Sequence, residues 1–317
     1  MKYDIYFHDD FDGAASAAIM LSFLKSRGDS VARLQPVNFG MKRKWPEQFK
    51  FRNPSVVLDF PYHPRATFWY DHHPTTFLKP EWQKNFKETP FQRFDVKYPS
   101  CCGLVLDALR RGFGFRPPKH QRELVRWGDI IDKADYASPR QAVEMRDAAI
   151  QLNAFIDEHA RKKGFFDWLV PLLSEKSIRY ITQTRRFRTS IRTIRRKQET
   201  TIRFYRKHLT IEGPISYIDL SGTKFRKISI APYYLCPELI YSVTLKQDGR
   251  FFHLNVAANP WRRSQNILEI GKILRNHGGG GHKDVGGAEF RTHHRAEVAV
   301  QSIMPLLHRA AQKTSRK

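Results

Sequence analysis

Short apolar runs, each closing on a charged residue, alternate with stretches of helical periodicity through the first half of the chain. Tyr3 to Phe7 reads as a strand that runs into His8-Asp9-Asp10-Phe11-Asp12-Gly13. A helix of small residues follows from about Ala14 to Ser26, with Gly28 as its stop. Val31 to Val37 predicts a second strand. Ser55 to Leu58 is a buried-strand pattern ending at Asp59, and Thr67 to Tyr70 is another, ending at Asp71. Strands that finish one after another in acids predict a parallel sheet with its site at the carboxyl ends. Helical spacing marks Ser100 to Arg111, Lys119 to Lys133 and most of Ala142 to Leu173. A strongly basic helix is expected over Arg185 to Lys207, with ten Lys/Arg and one acid, Glu199. Past the breaker Glu212-Gly213-Pro214 the texture changes to strands at Ile215 to Leu220, Leu239 to Leu245 and Arg250 to Ala257, the last after an Asp248-Gly249 turn.

The pattern is therefore α/β. A chain of 317 residues exceeds one domain of ordinary size. The change of texture divides it into a first domain over 1–180, a basic helical linker over 181–212 and a smaller α/β domain over 213–317. Charge then narrows the partners. The 55 Lys and Arg against 31 Asp and Glu leave +24, which favours a polyanion through counterion release or serves solubility alone. Cys101, Cys102 and Cys236 form no metal or disulfide spacing, as expected of a reducing compartment. The longest apolar stretch, Ala14 to Leu24, is interrupted by Ser16 and Ser22 and is too short to span a bilayer. A cytoplasmic protein with no membrane partner is expected, and the apolar first domain permits a homodimer.

The candidate chemistry is a set of acids and imidazoles at the predicted strand ends. His8, Asp10 and Asp12 alternate ahead of Gly13, Asp59 closes one strand, Asp71-His72-His73 closes the next, and Asp132 ends an apolar helix. Crowded carboxylates repel unless protons or cations intervene. Asp and His ligands without cysteine suit Mn²⁺, or Mg²⁺ with its waters. Two such ions about 3.5–4 Å apart can activate water and stabilise a leaving oxygen in phosphate-ester hydrolysis. Singly each piece has a plainer reading. The first motif can be a capped helix start, Asp59 a turn residue, the histidine pair structural and Asp132 a helix-end charge.

Taken in order, these residues resemble the DHH phosphoesterase superfamily, in its DHH plus DHHA1 branch. The motifs stand as His8-Asp9-Asp10-Phe11-Asp12-Gly13, Leu58-Asp59, Asp71-His72-His73 and Gly128-Asp129-Ile130-Ile131-Asp132. Near the other end, Gly278 to Phe290 (GGGGHKDVGGAEF) resembles the GGGHxxAAG signature of the second domain. The resemblance implies two divalent ions, Mn²⁺ first, held by His8, Asp10, Asp12, Asp59, His72 and Asp132, with Asp59 bridging. His73 would face the substrate, Asp71 would orient the histidines, and the nucleophile would be a metal-bound hydroxide. Gly279, Gly280, Gly281 and His282 would approach a substrate phosphate, with Arg262 or Arg263 as a second wall. Read without that resemblance, the glycine run is a flexible loop and the arginines a solvated turn. The first motif departs from the H-x-x-x-D-x-D of the nanoRNase group and is nearer the D-x-D-x-D-G of the RecJ group. The chain also lacks length for the OB domain of full RecJ enzymes.

The implied function is hydrolysis of phosphodiester or phosphomonoester bonds in nucleotides or short single-stranded nucleic acid. The alternative is a RecJ-like exonuclease in which the basic helix tracks a backbone, with Phe187 or Tyr205 for stacking. A non-catalytic nucleic-acid-binding module is disfavoured by the intact acid set.

Overall fold

The computed structural model describes residues 1–38, 41, 45 and 49–314. β1 (Lys2–His8), β2 (Ser30–Val37), β3 (Ser55–Leu58), β4 (Phe68–Asp71) and β5 (Gln92–Phe94) form one sheet in the order β2-β1-β3-β4-β5. It is parallel throughout. All of β3 and β4 is buried, which is why SVVL and FWYD show no alternation. The chain leaves β1 for β2 on one side and returns as β3 on the other, so strand order reverses at β1. In register Phe7 faces Leu58, and Leu58 faces Tyr70. The residues that follow, His8, Asp59 and Asp71, therefore emerge together at the carboxyl edge of the switch point, where open α/β sheets place their ligands.

Helix α1 (Phe11–Ser26) has thirteen of its sixteen residues buried, so it needs no polar stripe and its sequence shows no helical period. Ala14, Ala15, Ala17 and Ala18 let neighbours pack close. After α2 (Pro80–Asn85), α3 (Cys101–Phe113) and α4 (Lys119–Asp132) pack on α1 and on each other. A Cβ at Gly128 would sit 2.4 Å from Cys102 Sγ, so glycine there permits the close crossing of α3 and α4.

The span expected to be largely helical over 142–173 is three helices, α5 (Pro139–Glu144), α6 (Ala148–His159) and α7 (Phe165–Glu175). Left-handed backbone at Met145 (φ 49°) and Gly164 (φ 73°) separates them. α8 (Ile178–Gln183) leads into α9 (Arg185–His208). Two compact units result. One comprises Met1–Asp135 and Met145–Ile194, the other Tyr136–Glu144 and Arg195–Lys317. Phe187 and Tyr205, read as stacking surfaces, are both buried. They lie on the apolar side of α9 and are not available to a base.

The second unit is built on a mixed sheet in the order β10-β11-β9-β8-β7-β6. Its strands are β6 (Thr210–Glu212), β7 (Ile215–Asp219), β8 (Tyr241–Asp248), β9 (Phe251–Ala258), β10 (Gly280–Gly281) and β11 (Val285–Phe290). Only β7 and β8 pair in parallel. Between β7 and β8 comes α10 (Ala231–Leu235), and α11 (Ile270–Arg275) precedes β10. The helix α12 (His293–Thr314) adds an element that the strand pattern after Pro214 does not predict. It buries Ala296, Ala299, Val300, Ile303 and Leu307 against Val243, Leu254 and Val256.

The glycine segment is not a flexible loop. Gly280 and Gly281 pair with Gly287 and Gly286 as a hairpin. A Cβ at Gly279 would lie 2.1 Å from Gly287 O, and one at Gly271 2.3 Å from the Gly281 carbonyl. These glycines let backbone approach backbone. No helix among the described residues is long and apolar enough to cross a membrane.

Candidate metal centre

The acids and imidazoles of the first unit converge at the carboxyl edge of β1, β3 and β4. Asp10 caps α1 by accepting the Gly13 N–H at 2.9 Å, and its other oxygen lies 2.6 Å from His8 Nδ1. Gly13 is obligatory because a Cβ there would meet His8 O at 2.0 Å. Asp59 follows β3 with φ 55°, a left-handed conformation that Asp and Asn tolerate better than most residues. Its N–H donates to Tyr70 O at 3.0 Å, which aims the side chain across the strand ends.

Each imidazole has a defined orientation. His72 Nδ1 lies 3.1 Å from the carbonyl of Tyr98. A carbonyl only accepts, so Nδ1 carries the proton and Nε2 presents its lone pair. That Nε2 is buried with no hydrogen-bond partner. It faces Asp132 Oδ2 at 3.5 Å, Asp59 Oδ1 at 3.7 Å and Asp12 Oδ2 at 3.8 Å. His73 Nδ1 donates to Asp71 Oδ1 at 2.8 Å, and the same oxygen accepts the N–H groups of His72 and His73. Asp71 Oδ2 accepts from Thr76 Oγ1. Asp71 is thus a saturated hub that holds the D-H-H turn.

Asp12 is positioned by α3. Its two oxygens accept the N–H groups of Cys101 (2.6 Å) and Cys102 (2.8 Å), the orphan donors of a helix start. Ser100 caps the same helix by accepting from Gly103 N. It also donates to Asp129 at 2.5 Å. No local pattern marks this support, because its donors lie some ninety residues along the chain from Asp12.

Ligand atoms lie within 4.8 Å of one another in three sets: His8 with Asp10 and Asp59; Asp12 with His72 and Asp132; and Asp59 with Asp71, His72 and His73. Asp59 connects the first two, with Oδ2 3.7 Å from His8 Nδ1 and Oδ1 3.7 Å from His72 Nε2. Both Asp59 oxygens are buried without a hydrogen-bond partner. Burial, then the charges of Asp12 and Asp10, push the Asp59 carboxyl well above the usual carboxylate range. Asp132 is pushed up to about 8 by burial and the same two neighbours, even though its side chain remains 28% exposed. For His73 burial opposes the proton, but the hydrogen bond and charge of Asp71 prevail, raising it to about 9. A site that forces protons onto acids favours another cation in their place. Two orphaned carboxylate oxygens and an aimed imidazole lone pair make the donor set fit divalent metal.

The remaining candidates lie in the second unit. His282 is exposed, and its N–H donates to Val285 O at 2.8 Å. Gly280 and Gly281 have their backbones in the hairpin, while Gly279 joins His253, Asn255 and Gly287 in lining a cavity of about 270 Å³. Asn259 caps the 3₁₀ turn Pro260–Gln265 that bears both arginines. Arg262 donates to Pro237 O at 3.1 Å and Gln265 Oε1 at 3.2 Å, and Arg263 is exposed.

No family model matches the sequence, and no curated protein matches it. Solved structures do share its fold. A pGpG-specific phosphodiesterase, PggH from Vibrio cholerae, superposes with a TM-score of 0.72 at 17% identity, covering 97% of this chain and 98% of that one. RecJ from Thermus thermophilus in complex with Mn²⁺ superposes with a TM-score of 0.56 at 16% identity. It is covered over 52% of its length by the whole of this chain, so the chain spans about half of RecJ. Both neighbours belong to the DHH family that the motifs resemble. The expected α/β architecture, a parallel first sheet with a second smaller domain, is the one they share with this chain.

Proposed function

We propose that the chain is a metal-dependent phosphoesterase that hydrolyses phosphodiester or phosphomonoester bonds in nucleotides or short single-stranded oligonucleotides. The observation that carries this reading is the pair of buried, unpartnered Asp59 oxygens set between two ligand groups. In the proposed assignment His8, Asp10, Asp12, Asp59, His72 and Asp132 would hold the divalent metal, with Asp59 common to the group of His8 and Asp10 and close to that of Asp12, His72 and Asp132. Mn²⁺ or Mg²⁺ bound there would acidify water and neutralise charge building on a phosphoryl oxygen.

The chain's own residues do the rest. The Tyr98 carbonyl fixes the His72 tautomer, and the α3 N–H groups aim the Asp12 carboxylate and oppose part of the upward push that burial gives it. His73, partly exposed and held protonated at Nδ1 by Asp71, presents Nε2 toward incoming substrate. It can donate a hydrogen bond to a phosphate oxygen when charged. His282, Gly279, Gly280, Gly281, Arg262 and Arg263 are proposed to contact substrate from the second unit. A shared fold with a pGpG-specific phosphodiesterase over nearly the whole of both chains supports a nucleotide diester as the substrate class.

The test is hydrolysis of bis-p-nitrophenyl phosphate, a linear dinucleotide, pAp, a short RNA and pyrophosphate with Mn²⁺. Cleavage of a diester that stops with chelator and is lost in Asp59→Ala and His72→Ala is the expected result. Diester cleavage that persists in chelator, or in Asp59→Ala, overturns the reading.

A further inference from the structure

We infer that the exposed face of the first turns of α9 is a phosphodiester-backbone site, through which Arg185, Arg188 and Arg192 hold a single-stranded nucleic acid. That the bound strand is also a substrate rests on the proposed function; that it binds here does not.

α9 is two-sided. Phe187, Ile191 and Ile194 are buried, while Arg185, Arg188 and Arg192 are exposed. The three arginines stand at i, i+3 and i+7, which places them along one side of the helix. Together with Gln183 and Thr189 they line a surface groove of about 370 Å³. Among the described residues none of the three has a carboxylate partner, whereas Arg186 lies over the Trp168 ring at 4.5 Å. Like charges at these spacings cost a helix a few tenths of a kcal/mol per pair, and no carboxylate among the described residues pairs with these arginines to offset it. A polyanion would.

Three features select nucleic acid among polyanions. The cations are arginines, whose planar forks match phosphate oxygens two at a time. From Arg185 to Arg192 the helix rises about 10 Å, so the row addresses a repeating backbone rather than one phosphate. An aromatic platform is also present. Tyr180 is 49% exposed on α8, one turn before Gln183 and therefore on its face, with Lys176 Nζ 5.5 Å from the ring centre as a further cation beside it. Bases stack on such rings without regard to sequence. An anionic bilayer is the competing partner, but a surface helix enters a bilayer by its apolar face, and that face of α9 is packed inside the protein.

The experiment is fluorescence anisotropy of a labelled single-stranded RNA 20-mer with the full chain in chelator, across a salt series. The Arg185→Gln/Arg188→Gln/Arg192→Gln variant should bind at least about tenfold more weakly at low salt. Its log–log salt slope should be shallower by about 2, from about 0.7 per lost phosphate contact. Tyr180→Ala should weaken binding about fivefold or more with the slope unchanged, and the triple Lys variant should keep most of the slope. Bis-p-nitrophenyl phosphate turnover should be unchanged in all of them. Unaltered affinity and slope in the Gln variant overturns the site. So does a loss of binding to phosphatidylserine vesicles that leaves the oligonucleotide bound. If the Gln variant does not fold, Arg188→Glu alone decides by the same readout. Wild-type protein that cleaves no diester defeats the proposed function, while anisotropy still decides this inference.

Discussion

Replacing Asp59 by asparagine separates charge from shape at the centre of the acidic cluster. Asparagine keeps the volume and tolerates the φ of 55° at this position, so backbone strain is not introduced as it would be by alanine. In the metal-free protein the change removes a buried charge whose oxygens have no partner and which faces Asp12, Asp10, Asp71 and Asp132. The new amide can also donate toward the His72 Nε2 lone pair, 3.7 Å from the oxygen it replaces. An uncompensated buried carboxylate costs several kcal/mol in the limit. Relaxation and partial protonation leave about 1–3 kcal/mol to be regained, or roughly 3–10 °C in Tm for a unit of this size. With Mn²⁺ at about 100 times its Kd the wild type should gain about 2.7 kcal/mol, whereas the variant, lacking the shared ligand, should gain little. Differential scanning calorimetry with chelator and with Mn²⁺ therefore predicts a variant more stable than wild type without metal and less responsive to it. A metal-free variant that melts below wild type, or an equal Mn²⁺ shift in both, would refute the reasoning.

Three further outcomes follow from other parts of the structure. His63, packed against Trp45, Phe51 and Trp82 with Nδ1 accepting the Arg65 N–H, has its pKa lowered to about 4 by burial. The unfolded chain takes this proton first, so its contribution is full above about pH 6.5 and falls by about 2 kcal/mol at pH 5. Urea midpoints at pH 8 and pH 5 should converge more closely in His63→Phe than in wild type, and an unchanged difference would contradict the assignment. Gly271→Ala drives a Cβ into the Gly281 carbonyl and should destabilise the second unit by about 1–3 kcal/mol; a neutral urea midpoint would show that the strand can yield. Asp71→Asn keeps the shape of the D-H-H turn but weakens the hold on His73. On the proposed function kcat should drop about 10–100-fold with KM and Tm nearly unchanged, and wild-type kcat would remove Asp71 from its positioning role.

The sequence by itself determined the class of fold. Strand endings at Asp59 and Asp71 are local facts, because a run such as SVVLD must turn where its apolar residues stop. The acids at those endings were legible for the same reason. Local pattern failed where pairing or burial came from distant segments. Glycines at 279–281 look like loop material until Gly286 and Gly287 lie beside them as a strand, and Phe187 and Tyr205 look available until α9 turns them inward. Only the tertiary structure decided that Cys101 and Cys102 present their N–H groups to Asp12, some ninety residues earlier, and that the Tyr98 carbonyl selects the His72 tautomer. Composition and periodicity report which side chains seek burial. Which backbone groups meet a given carboxylate depends on how helices cross a sheet, and that is settled by packing among residues far apart in the chain.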